Sequence, residues 1–156
     1  MTATIAAYAA MASILAASMW RSREWAIGAS LALCFAATAI TGEITHGIDM
    51  DVAAISADFA LVYAMRFAAS GPRAYAVGLV SLTVIGLRVW FIASYPQGFE
   101  MAPIVTQYTY ATAINCAFVL QALICGGWAD GIGMRVADWL DRVWPRGARV
   151  LRNVAG

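Results

Sequence analysis

The sequence contains no lysine, a single histidine (His46) and three cysteines, and charged residues fill only 12% of its 156 positions. A soluble domain usually carries about a quarter charged residues. So little charge, set against 62% hydrophobic residues and a mean hydropathy of +0.72, excludes a disordered chain, a nucleic-acid binder and an ordinary cytosolic enzyme. One histidine leaves no second imidazole to complete a bis-histidine haem site. Cys34, Cys116 and Cys125 lie in apolar runs without metal-ligand spacing, and read as small buried hydrophobes. There is no glycine-rich phosphate loop after a strand, no HExxH, no GxSxG and no spacing that suggests a triad. No catalytic residue, cofactor-binding residue or metal ligand is therefore assigned, and no cofactor is expected. His46 sits near Asp49 and Asp51, but that grouping is not specific for a metal, and a solvated loop histidine is the simpler reading.

What is present is apolar length. Five segments stand out, at about 3–20, 25–42, 52–69, 74–95 and 103–125. Each holds about 18–23 residues, enough to cross a hydrocarbon core of roughly 30 Å. They are apolar on all sides and rich in Ala and Leu, unlike the alternating pattern of barrel strands. In lipid every backbone polar group must be satisfied within its segment, so helices follow. The expected fold is all-α: a transmembrane bundle of about five spans over residues 1–127, and a separate tail over 128–156. Ala9, Ser13 and Ala17 repeat every four residues, as do Ala60, Ala64 and Ala68, and small faces of this kind let helices approach closely.

The arginines orient the bundle. Arg21 and Arg23 follow the first segment, Arg66 and Arg73 flank the Ser70-Gly71-Pro72 turn, and Arg135, Arg142, Arg146, Arg149 and Arg152 follow the fifth. The alternate connections hold Glu43, Asp49, Asp51 and Glu100 and no arginine. The positive-inside rule then places the N-terminus outside and the tail in the cytoplasm of a bacterial inner membrane. A cleaved signal peptide over the first segment is the alternative, but its positive charges follow the apolar run instead of preceding it.

The tail carries its own pattern. Ile132, Val136, Trp139, Leu140, Val143 and Trp144 recur at spacings of three and four, and Pro145 ends the run. A Trp-bearing amphipathic helix beside a span belongs in the headgroup interface. Trp139, Leu140 and Trp144 would insert there, and anionic lipid would attract Arg146, Arg149 and Arg152 at about 1 kcal/mol each.

Charges within the spans say most about the interior. Asp58 lies 14 residues before Pro72 and Arg88 lies 16 after it. Those offsets are about 21 and 24 Å from the turn. An antiparallel pair of helices would bring the two charges to one depth, and a buried charge usually has a partner. We expect an interhelical Asp58–Arg88 ion pair, whether as a structural bridge or as a substrate or proton site. Arg66, near the end of its span, is expected to snorkel. Asn115, near mid-span, and Gln107 and Gln121, nearer the ends, are candidates for hydrogen bonds across helices.

The arrangement Arg23-Glu24-Trp25, then His46-Gly47-Ile48-Asp49, then Ala57-Asp58-Phe59-Ala60-Leu61 and Arg66, then Tyr108 and Gly126, resembles small polytopic membrane proteins common in alphaproteobacteria. The resemblance spans about residues 21 to 127. It departs from that group in the fourth segment, where Tyr75 and Arg88 replace a Trp and His pair. It implies membrane location and helical architecture, and no activity. Three functions fit the sequence: a non-enzymatic accessory or scaffolding subunit, a phage-type holin or other oligomeric pore former, and a minimal transporter or channel. No inverted repeat with broken helices is visible, which weakens the last. The expected partners are the lipid bilayer, anionic lipid at the tail, and other membrane subunits or further copies of the chain. Nucleic acid is not among them.

Overall fold

The computed structural model describes residues 2–44, 48–67, 69, 71–97, 99–128 and 130, without the side chains of 2–7, 41–44 and 48–50. The described residues form five α-helices and one short 3-10 turn, and no strand. They are α1 (Thr2–Ser22), α2 (Trp25–Ile44), α3 (Ile48–Phe67), α4 (Pro72–Ser94) and α5 (Ile104–Cys125), with the 3-10 turn at Phe99–Met101 before α5. Consecutive helices pack side by side, and α5 returns against α1, so the bundle closes as a ring in chain order. Among the described residues, α4 and α5 are long and apolar enough to cross a membrane by length and composition; the apolar stretch Trp25–Ile40 of α2 is shorter.

The breaks between helices have local causes. Arg23 adopts a left-handed backbone at φ 58°, which stops α1 and lets Trp25 start α2. Pro72 opens α4 behind Gly71, where its missing N–H costs no helical bond. At the end of α5, Gly127 takes φ 72°. The Trp128 N–H donates to the Leu123 carbonyl and the Gly127 N–H to that of Ile124. This pair of bonds closes a helix around a left-handed residue, which favours glycine.

One boundary differs in a way that matters. The acidic run before the third apolar segment reads as a connection in the sequence, but α3 begins at Ile48 and includes Asp51. Hydropathy marks where a helix becomes apolar, not where it starts. Carboxylates in a first turn are favoured by the helix dipole.

The interior is layered along the bundle. Toward the end that carries Arg21, Arg23, Arg66 and Arg73, an apolar cluster joins Leu15, Ile27, Leu31, Leu61, Met65, Val77 and Ala122. Toward the other end, Phe91, Ala102 and Tyr110 form a second, with Tyr95, Phe99 and Ile114 against it. Polar side chains lie between them.

At the arginine-bearing end, Arg73 clamps three elements. Its Nε and Nη2 donate to both carboxylate oxygens of Asp130 at 3.0 and 2.6 Å, and Nη1 lies 3.6 Å from Glu24. The fork geometry of guanidinium suits such two-point binding. The same guanidinium holds the Asp130 carboxyl below its ordinary value of 3.8. Arg21 stacks over the Trp128 ring at 5.5 Å. The tail residues Trp139, Leu140, Trp144, Arg146, Arg149 and Arg152 lie outside the described residues, as does His46.

Candidate functional site

Two helical periodicities build the polar layer. Asp51 and Asp58 are seven residues apart on α3, two turns, so they share a face. On α4 the buried positions Val77, Ser81, Val84, Arg88 and Phe91 recur at three and four, which puts Arg88 on the helix's inward stripe. The packing of α3 against α4 brings the two stripes together.

The structure places the Arg88 Nε 2.9 Å from Asp58 Oδ2, as a donor to it. Both are buried, at 5% and 6% exposure. The other arm of the guanidinium, Nη1, donates to the Tyr110 hydroxyl at 3.4 Å and lies 3.9 Å from Asp51 Oδ1. The Tyr110 hydroxyl donates to that same Asp51 oxygen at 3.2 Å. On the far side of Asp58, the Cys34 thiol donates to Oδ1 at 3.7 Å. Four helices thus contribute to one connected group: Cys34 from α2, Asp51 and Asp58 from α3, Arg88 from α4 and Tyr110 from α5. Two carboxyls face one guanidinium. Taking charges from water is costly unless each is paired and hydrogen-bonded, and among the described residues no buried side-chain nitrogen or oxygen lacks a partner.

Aromatic rings hold the Tyr110 end in place. Phe91 is fully buried and stacks on Tyr110 with ring centres 4.1 Å apart, and Phe99 and Tyr95 pack around Phe91. The amide of Gln107 donates to the Ala102 carbonyl at 2.8 Å, so it fastens the connection before α5 and does not bridge two helices.

Below Asp58 and Arg88 lies a cavity of about 110 Å³ lined by residues of all five helices. Thr38, Asn115 and Gln121 supply polar lining, and Tyr8, Phe35 and Phe118 supply an aromatic wall. Phe35 meets Phe118 at 4.5 Å and Tyr8 at 5.6 Å, centre to centre. That space is large enough to hold several waters. Asn115 itself is exposed and reaches only the cavity's lining. Besides Tyr110, α5 bonds across helices through Gln121, whose amide donates to the Ser81 hydroxyl at 2.9 Å. Among the described residues, no three of His, Cys, Asp and Glu gather as a metal-binding group.

Cys34, Asp51 and Tyr110 are the members that reading the sequence overlooks; Cys34 reads as a small apolar residue but its thiol bonds Asp58. Asp51 was grouped with a loop by hydropathy, although its spacing of seven from Asp58 was the available signal. Tyr110 carries no such signal, because its role depends on how α5 is rotated against α4. Comparison of the chain with protein-family models, curated proteins and solved structures gives no match.

Proposed function

We propose that this chain is a five-span protein of the bacterial inner membrane, N-terminus outside and C-terminus cytoplasmic, acting as a non-enzymatic accessory or scaffolding subunit of a larger membrane assembly. The five helices hold 20 to 23 residues, so each measures about 30–35 Å, the thickness of a hydrocarbon core. Large apolar side chains point outward on α3, α4 and α5, among them Phe59, Tyr63, Leu79, Leu82, Val89 and Val105. The charged groups Asp58 and Arg88 point inward. Trp20, Trp25 and Trp128 are exposed at the arginine-bearing end, where indoles favour a headgroup belt.

The observation that carries the accessory role is on α1. Ala9, Ala12, Ser13, Ala16 and Ala17 are all exposed, so the small-residue repeat faces away from the bundle. The inward positions are Met11, Leu15, Ser18 and Met19. A smooth outward face of this kind suits close approach by another transmembrane helix. Replacing Ala9, Ser13 and Ala17 together with leucine is expected to release a stoichiometric partner during purification from native membranes, while the melting temperature of the isolated bundle stays unchanged. Retention of every co-purifying protein would overturn the role, and homo-oligomers with no second protein would favour a pore former.

Orientation has its own test. A reporter fused after Gly156 is expected to be active only in the cytoplasm, and one inserted at His46 only outside. An external C-terminus would sink the five-span topology. The cavity lined by all five helices favours a second reading, a minimal transporter or channel centred on Asp58 and Arg88.

A further inference from the structure

Among the described residues, two carboxyls share one guanidinium in the buried cluster, so with both ionised these groups would carry one excess negative charge. Asp51 is 1% exposed and Asp58 6%. A buried charge without a counter-charge is expensive, and such groups hold a proton instead. We propose that the cluster is a proton-binding site: one proton resides on Asp51, while Asp58 and Arg88 form the ion pair.

The distances assign the proton. Asp58 has the direct 2.9 Å bond from Arg88, the stronger charge-assisted arrangement. Asp51 lies 3.9 Å from the same guanidinium and is served by the neutral Tyr110 hydroxyl. Release breaks the Asp51 O–H bond and forms an O–H bond on a water, giving hydronium; the Arg88 guanidinium only donates hydrogen bonds and does not carry the proton. Among the described residues, the groups that face the carboxyls are Cys34 from α2, Arg88 from α4 and Tyr110 from α5. Tyr8 from α1 is a further titratable side chain on the cavity wall. This inference deepens the transporter reading without requiring flux, since a resident proton is measured at equilibrium. Loss of the transport idea would leave it standing.

The test is infrared spectroscopy of the protein in lipid nanodiscs with carbon-13-labelled aspartate. At neutral pH the wild type is expected to show the carbonyl stretch of a protonated aspartic acid, shifted down in heavy water. Asp51→Asn should abolish that band and keep the wild-type melting temperature, because an amide is close in shape to the protonated acid. Tyr110→Phe should keep the band and shift it, since one hydrogen bond to the carboxyl is gone. No protonated band in the wild type, or a band that survives Asp51→Asn, overturns the proposal. If Asp51→Asn does not fold, the wild-type band and its shift in Tyr110→Phe decide the matter, and an unshifted band counts against the assignment.

Discussion

Removing both carboxylates, Asp51→Asn with Asp58→Asn, is expected to destabilise the bundle by about 3–5 kcal/mol, the usual loss when a buried charge is stripped of its partner. Arg88 would then keep its charge in an apolar interior with the Tyr110 hydroxyl as its remaining named partner. Each single change should be milder. With Asp58 gone, the Nη1 arm already lies 3.9 Å from Asp51, so Asp51 can give up its proton and take over as counter-charge. With Asp51 gone, the Asp58–Arg88 bond is intact. The double loss should therefore exceed the sum of the single losses, the mark of groups in one network. Adding Arg88→Met to the double variant should recover most of the stability, because no buried charge remains. Unfolding of the five proteins in detergent measures all of this. Strictly additive losses would mean that the two carboxyls do not share the guanidinium.

Phe91→Ala is the second large effect, a loss of about 3 kcal/mol or more. Phe91 has no exposed surface and fills the space between Tyr110, Tyr95 and Phe99. On the proposed five-span reading the alternative surrounding for a helix is lipid tails and not water, so the loss comes from missing packing contacts more than from hydration. The damage should also reach the polar layer. Without its stacking partner, Tyr110 is less firmly aimed at Asp51, and Phe91→Leu, which fills more of the space, should lose about half as much. Melting curves of the two variants give the packing term. Equal stability of Phe91→Ala and wild type would show that the aromatic cluster contributes nothing.

The helices themselves are legible in the residues. Apolar runs of about twenty positions, broken by Arg23-Glu24, Gly71-Pro72 and Gly126-Gly127, set five helices to within a few residues. The depth of Asp58 and Arg88 follows from the short turn at Pro72 by counting alone, and the structure puts their side chains in direct contact. The small-residue repeat on α1 is equally visible, but which way it faces is not. Rotation of a helix that is apolar on all sides has no strong amphipathic signal to set it.

The sequence by itself determined the helical class, the five helices of the described residues, the asymmetry of arginine between the two ends and the offset that matches Asp58 with Arg88. These follow from local chain properties: hydropathy, turn residues and a fixed rise per residue. Only the tertiary structure decided that Asp51 and Tyr110 join that pair, that Gln121 and not Asn115 bonds across helices, that a cavity opens where all five helices meet, and that the small face of α1 turns outward. Those features depend on the rotation of each helix about its axis. That rotation is set by packing among residues far apart in the chain, and local spacing shows only which residues share a face, as Asp51 does with Asp58.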